Sequence, residues 1–179
     1  MFLRKSFSLE ELAWFLQWTT YTQSHAWTTY DIRSALEGSL SILYVPEDDD
    51  HQIHPYHASF QDFLRDKDRS GDHFLDPAIN HEIIFHTSAR LISNDTDFFA
   101  VSGQIVSYAY HNWCFHLLSL MNHNNANIDR STIEALEALM EMLSQNCCAR
   151  LSRFESHETV KSWLANLEEV IIAWTKVSY

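Results

Sequence analysis

The spacing of hydrophobic residues changes within one stretch of the chain, from Ser41 to Asp66. Ser41–Val45 is rich in β-branched and aromatic residues, the acidic run Glu47–Asp50 interrupts it, and an extended pattern resumes at Ile53–Tyr56. Beyond His57 the apolar positions take helical spacing, at Phe60, Phe63 and Leu64. The pattern predicts a short β-hairpin that leads directly into an amphipathic helix, with His57 at the junction.

Two helices are predicted ahead of this hairpin. Ser8 and Glu11 have the spacing of a capping box, and strongly apolar residues follow them. The polar run Thr19–Ser24 predicts a loop, and a second helix is expected to start near Thr29. Two helices, a hairpin and a third helix form the layout of a winged helix, which we assign to residues 1–66.

A charged segment that contains Gly71 comes next, and we interpret residues 67–76 as a surface connector. Asp76 and Pro77 then provide the N-cap and the first position of a helix, which Asn94–Asp97 interrupts. The predicted apolar stripe of this helix consists of Ile79, Ile83, Ile84, Leu91 and Ile92.

Helical spacing continues to the C-terminus in three further segments, separated by polar breaks such as Asn122–Asp129. The apolar face of the first segment contains Ile105, Tyr108, Ala109, Trp113, His116, Leu117 and Leu120. The second, which Ser131–Glu134 is expected to cap, carries Leu136, Leu139, Met140 and Leu143. The last, roughly Glu158–Val177, carries Val160, Trp163, Leu164, Leu167, Ile171 and Trp174. We therefore predict an α-helical hairpin array over residues 77–179 in a mainly α protein.

Composition supports the helical prediction and restricts the possible partners. Only three glycines and three prolines occur in 179 residues, so few positions break a helix. Acidic side chains number 24 against 12 Lys and Arg, for a net charge of −12. A surface of this charge repels phosphate backbones, so the sequence disfavours nucleic acid as a partner.

The cysteines and the hydropathy indicate an intracellular protein without a metal or disulfide framework. Cys114, Cys147 and Cys148 are odd in number and form no CxxC pair, so reduced thiols are expected. The N-terminus lacks the apolar run of a signal peptide, and no segment has about 20 consecutive apolar residues. We predict a cytoplasmic protein with no membrane partner.

Several histidines have spacings that suggest metal sites at first. His51, His54 and His57 form an HxxHxxH run, but successive strand residues face opposite sides, so they cannot close one site. His81 and His86 flank Glu82 in the manner of an HExxH motif, yet they are five residues apart. Residues five apart on a helix diverge by about 140°, so the pair cannot share one ion. The sequence predicts no metal site and, without a nucleophile elbow, no catalytic residues.

One segment is similar to a known family. His57-Ala58-Ser59-Phe60-Gln61-Asp62-Phe63-Leu64 resembles the His-x-Ser-Phe-x-Asp-Phe-Leu segment of the winged-helix region of fungal NACHT-type NTPases. Leu43–Asp48 upstream and Ser70–Asp72 downstream continue the resemblance, as does Tyr108–Leu117 in the helical region that follows.

The resemblance implies a part of a nucleotide-switched signalling protein. In that family the histidine at the winged-helix hinge contacts the phosphates of bound ADP and holds the resting state, and His57 is the matching residue. No GxxxxGK[ST] motif is present, so the chain is expected to be non-catalytic and to bind no cofactor by itself. ADP or ATP would be bound in a complete parent protein, whose NACHT nucleotide-binding domain would be the partner.

An alternative is a free-standing helical module that binds protein partners and has no nucleotide role. The two interpretations differ in what they expect of the first helix. A segment taken from a larger parent should leave Leu9, Leu12, Phe15 or Trp18 partly bare, whereas a self-contained module should cover them.

Overall fold

Helices make up most of the chain in the computed structural model, and a small antiparallel sheet lies in its first part. The structure describes residues 6–19, 26–93, 103–123, 128–151 and 157–177. The prediction of a mainly α protein with a short β-hairpin is confirmed. The chain divides into two compact units, residues 1–80 and 81–179.

The elements of the first unit begin with two helices and continue through the hairpin to two shorter helices. They are α1 (Leu9–Thr19), α2 (Thr29–Leu36), β1 (Leu43–Tyr44), β2 (His54–Pro55), α3 (Ser59–Arg65) and α4 (Lys67–Ser70). Longer helices follow. They are α5 (Pro77–Ser93), α6 (Gly103–His123), α7 (Arg130–Leu151) and α8 (His157–Val177). None of the described helices combines the length and hydropathy that a membrane crossing requires.

The predicted capping box at the start of α1 is confirmed. The Glu11 amide donates to Oγ of Ser8 at 3.1 Å, and the Ser8 amide donates to Oε2 of Glu11 at 3.0 Å. Both residues are buried, so the two hydrogen bonds satisfy amides that solvent cannot reach. Ser8 also bridges to Gln52, which joins the start of α1 to the segment before β2.

A cluster of buried side chains from α1, α2 and the hairpin forms a core in the first unit. Leu9, Ala13, Ile32 and Ile53 are its buried members. Partly buried apolar residues pack around them, namely Leu12, Leu16, Trp27, Leu36 and Val45. The amide of Ile53 donates to the carbonyl of Phe7 at 2.9 Å, so backbone and side chain both attach the second strand to this core.

The hairpin is shorter than the apolar pattern predicted. Leu43 pairs with Pro55 and Tyr44 with His54 in antiparallel register. Pro55 has no amide hydrogen to donate, which limits the ladder at this point. The helix beyond the hairpin begins at Ser59, and the Ser59 amide donates to Nδ1 of His57 just ahead of it.

The predicted surface connector contains helical structure. Asp66 ends α3 and caps α4, because its side chain accepts hydrogen bonds from the amides of Asp68 and Arg69. A 3₁₀ turn, Gly71–His73, follows, and Gly71 adopts a φ of 54°, which favours glycine. Asp76 then accepts a hydrogen bond from the Ala78 amide at 2.9 Å, as the predicted N-cap of α5 should.

The stripe predicted for α5 is partly wrong. Ile79 is 55% exposed and Ile83 is 45% exposed. The buried residues of α5 are His81, Ile84, Phe85, Thr87, Ser88, Ala89, Leu91 and Ile92. Three of these are polar, so a prediction from hydropathy alone placed the buried face too far around the helix.

The expected face of α6 is confirmed, but the start of α7 differs from the prediction. All seven residues predicted for the α6 face are buried. Asp129, rather than Ser131, caps α7, since its Oδ1 accepts the Thr132 amide at 2.8 Å. The helix therefore begins at Arg130. On α7, Leu136, Leu139 and Leu143 are buried as predicted, whereas Met140 is exposed.

The buried side of α8 also differs from the prediction. This helix packs against α6, and Val170 is buried, while Leu164 and Ile171 are about half exposed. The side chains of Val160 and Trp163 lie outside the described part, as do the predicted breaks at 20–24 and 94–97. The break expected from Asn122 begins later, because α6 continues to His123.

Loss of the Ser8 hydroxyl tests the capping box. We expect Ser8→Ala to lower the free energy of unfolding of the first unit by about 1 kcal/mol, because the buried Glu11 amide loses its acceptor. Urea unfolding measures this change. Ser34→Ala is the matched control, since Ser34 is exposed on α2 and should tolerate alanine. Equal losses in both variants would contradict the role of the cap.

Candidate functional site

His57 lies between β2 and α3 with its ring exposed to solvent. The Ser59 amide donates to Nδ1 of His57 at 3.1 Å, and the Ser59 hydroxyl lies 2.7 Å from the same nitrogen. Because a backbone amide can only donate, Nδ1 is an acceptor and the neutral ring carries its proton on Nε2. The ring is thus held in one orientation with an exposed N–H donor.

An exposed apolar surface lies on the hairpin that precedes His57 in the chain. We call Leu40, Ile42, Tyr44 and Tyr56 the hairpin surface; all four are exposed, and Tyr56 reaches 62%. The rings of Tyr44 and Tyr56 meet edge to face with their centroids 6.3 Å apart. A groove of about 550 Å³ runs along this surface, lined by Leu40, Leu43, Tyr44, Val45, Pro46, Glu47, Asp48, His51 and Tyr56. The site is therefore a groove of mixed polarity, with tyrosine and aliphatic side chains beside the acidic residues Glu47 and Asp48.

The acidic loop of the hairpin is attached to α2. Arg33 donates to Oδ1 of Asp49 at 2.7 Å and to the Glu47 carbonyl at 2.9 Å. Hydrogen bonds from Thr29 and Arg33 hold the pKa of Asp49 below its ordinary value. Asp49 thus has a structural role, while Glu47 and Asp48 stay exposed at the rim of the groove.

The HxxHxxH histidines have three different partners. Nδ1 of His51 lies 2.9 Å from Asp50, and Nδ1 of His54 lies 3.3 Å from the Gln52 carbonyl. Nδ1 of His57 lies 2.7 Å from the Ser59 hydroxyl. The structure does not bring the three rings together around one point.

The second unit contains a buried histidine pair that sequence reasoning missed. Nδ1 of His81 lies 2.9 Å from Nδ1 of His116, whose Nε2 lies 2.7 Å from the Tyr108 hydroxyl. All three side chains are buried. One imidazole must donate and the other accept across the Nδ1–Nδ1 contact. Only one of the two Nδ1 atoms can therefore carry a proton in this arrangement. Hydropathy placed His116 in the core but could not identify its partner on another helix.

A second group of titratable side chains lies where α5 meets the start of α7. A nitrogen of His86 and a carboxylate oxygen from each of Glu82 and Asp129 lie within 4.8 Å of one another. The hydroxyl of Thr132 is buried and lies 3.1 Å from Nε2 of His86. Glu82 and His86 are neighbours on α5 in the sequence, but Asp129 caps a different helix and the sequence does not connect it with them.

Burial and the neighbouring charges act in opposite directions on the pKa of His86 in this group. Burial lowers the pKa of His86 below its ordinary value, although the charges of Glu82 and Asp129 oppose this shift. The Thr132 hydroxyl and amide hydrogen bond to Asp129 and lower its pKa. The group therefore combines an imidazole that burial keeps neutral with a carboxylate that hydrogen bonding keeps ionised.

Cys114 is a buried free thiol, and burial raises its pKa well above the ordinary value. A thiol with a raised pKa forms little thiolate at neutral pH, so Cys114 is a poor nucleophile. The side chains of Cys147 and Cys148 lie outside the described part of the chain.

Comparison with protein-family models, with curated proteins and with solved structures gives no match to this chain. The NACHT resemblance stays a prediction based on the sequence motif.

The lowered pKa of His86 gives a testable pH dependence. Because the folded pKa lies below the ordinary 6.5, the unfolded chain binds a proton here more readily than the folded chain. The stability that neutral His86 provides is present above the ordinary pKa of 6.5 and is lost as the pH falls through the folded pKa. We expect His86→Gln to flatten the dependence of the free energy of unfolding on pH between about 7 and 5.

Urea unfolding at a series of pH values measures this slope. His73→Gln, which removes an exposed ring, is the control for loss of a histidine. An unchanged slope in His86→Gln would show that this residue does not contribute to the pH dependence.

Proposed function

We propose that this chain is a non-catalytic regulatory and interaction segment of a nucleotide-switched signalling protein of the NACHT class. Its first unit would be a winged helix that docks on a nucleotide-binding core through the hairpin surface. The observation that carries this proposal is the exposed ring of His57, which directly follows Tyr56 of the hairpin surface in the chain and whose Nδ1 is occupied by the Ser59 amide.

The geometry of His57 suits contact with a phosphate. Its Nδ1 already accepts from the Ser59 amide, so the exposed Nε2–H is left to donate to an anionic oxygen. A hydrogen bond to a charged group contributes about 1.5–3 kcal/mol, more than a bond between neutral groups. The matching histidine of the NACHT family contacts ADP, and the same role for His57 requires a nucleotide held by the partner core.

The hairpin surface suits a protein partner. Contiguous exposed aromatic and aliphatic side chains with a polar rim are typical of binding surfaces. Glu47 and Asp48 provide an acidic rim here, so the complementary partner surface would be apolar at its centre and basic at its edge.

A second candidate is a free-standing protein-binding module with no nucleotide role, and one observation favours it. Leu9 and Phe15 are buried, and Leu12 and Trp18 are partly buried. The first unit therefore covers most of the α1 face that a segment separated from its parent should expose. This candidate would use the same hairpin surface, but its binding would not depend on ADP.

Nucleotide dependence separates the two candidates. The measurement is the Kd of the chain for an isolated NACHT-type nucleotide-binding core, either loaded with ADP or nucleotide-free. We expect His57→Ala to weaken binding of the ADP-loaded core by about ten- to a hundredfold, through the lost hydrogen bond to phosphate, and to leave the nucleotide-free complex unchanged. His73→Ala provides the matched exposed control.

Tyr56→Ser should weaken both complexes, because it removes the most exposed ring of the hairpin surface. Equal Kd values of the wild-type chain for the ADP-loaded and the nucleotide-free core would favour the second candidate. Binding that Tyr56→Ser leaves intact would exclude the hairpin surface as the docking site.

The chain itself is expected to have no ATPase activity. Its glycines, Gly38, Gly71 and Gly103, cannot supply the GxxxxGK[ST] spacing that holds nucleotide phosphates. A phosphate-release assay with the purified chain should match the buffer blank. Repeated turnover of ATP would contradict the proposed non-catalytic role.

A further inference from the structure

We propose that Glu82, His86 and Asp129 form a binding site for a divalent transition-metal cation of the zinc type. The site is independent of the proposed function, because it lies in the second unit and involves neither His57 nor the hairpin surface. One donor atom from each residue lies within 4.8 Å of the other two.

The positions of the three residues allow them to close around one ion. Glu82 and His86 are four residues apart on α5 and therefore lie on the same face of the helix, unlike His81 and His86. Asp129 approaches from the start of α7. Ligands at zinc distances of 2.0–2.2 Å lie roughly 3.3 Å apart in a tetrahedron, so modest side-chain rotations would bring these donors into range.

The charges also favour a cation. Glu82 makes no hydrogen bond or ion pair with another described side chain, although it acts electrostatically on His86. Arg130 is nearest to Asp129 in sequence, but it pairs with Glu134 at 2.8 Å. Arg90 acts on His86 electrostatically and opposes cation binding to some extent. One imidazole and two carboxylates thus lie together, with Glu82 and His86 partly buried and Asp129 exposed.

Thr132 holds two of the ligands in place. Its buried hydroxyl lies 3.1 Å from Nε2 of His86 and also hydrogen bonds to Asp129. Partners of this kind orient metal ligands in known sites. Asp129 can cap α7 and bind an ion together, because each carboxylate oxygen has two lone pairs.

The donor set indicates the class of metal. One imidazole nitrogen with two carboxylate oxygens suits zinc and similar first-row ions. Calcium and magnesium prefer six or more oxygen ligands, and an imidazole nitrogen is unfavourable for them. Three protein ligands leave at least one position open to water.

Titration of the metal-free full chain with Zn²⁺ tests the site by calorimetry and by the thermal unfolding midpoint. We expect saturable binding that raises the midpoint, and an association constant at least about tenfold lower in Glu82→Gln and in Asp129→Asn. Asparagine caps helices as well as aspartate, so the second variant keeps the start of α7 intact. Glu137→Gln, an exposed acid on α7, controls for the loss of one charge.

Three results would overturn the proposal. They are the absence of saturable zinc binding, equal affinities in the two site variants and wild type, and an equal loss in Glu137→Gln. Tighter binding of Mg²⁺ than of Zn²⁺ would overturn the assigned class of metal. His86→Gln provides a further variant in case one carboxylate substitution disturbs folding, and it too should lower the association constant by at least about tenfold.

Discussion

Burial of Ile53 determines the geometry of the first unit. Its side chain joins Leu9, Ala13 and Ile32 in the core, and its amide is bound to the Phe7 carbonyl. Strand residues alternate between faces, so an inward Ile53 places His54 outward, and Tyr56 is exposed by the same alternation. The exposure of His54 and Tyr56 is therefore a consequence of one hydrophobic contact, because a slip of one residue would turn the tyrosine inward.

The histidines show how the surroundings of a residue decide its chemistry. His57 is exposed, and a local hydrogen bond from the Ser59 amide sets its tautomer. His81 is buried against His116, while His86 is half-buried beside two carboxylates. His81 and His86 diverge by about 140° around α5, and they contact α6 and α7 respectively. The spacing that rules out a shared ion for this pair is the same spacing that gives each ring a separate partner.

Local sequence signals correctly predicted the features that depend only on residues close together in the chain. Ser8 with Glu11 and Asp76 with Pro77 marked helix starts correctly, because a cap requires only residues within one turn. The α6 face was also predicted correctly, since its buried positions are nearly all apolar. The faces of α5 and α8 were predicted only in part, because polar residues are buried on α5 and isoleucines are exposed on both helices. The metal group could not be predicted, since Asp129 joins Glu82 only through tertiary packing.

The group of Glu82, His86 and Asp129 is better suited to bind one metal ion than the acidic surface of the chain as a whole. A net charge of −12 attracts cations weakly over the whole surface. The exposed acids around Asp48 contribute to this attraction, but salt and solvent screen them. Glu82, His86 and Asp129 differ because an imidazole is present, two of the three side chains are partly buried and a buried hydroxyl hydrogen bonds to His86 and Asp129. Asp129 also caps α7, so an ion bound there would connect α5 to the first turn of α7 and stabilise the second unit where the two helices meet.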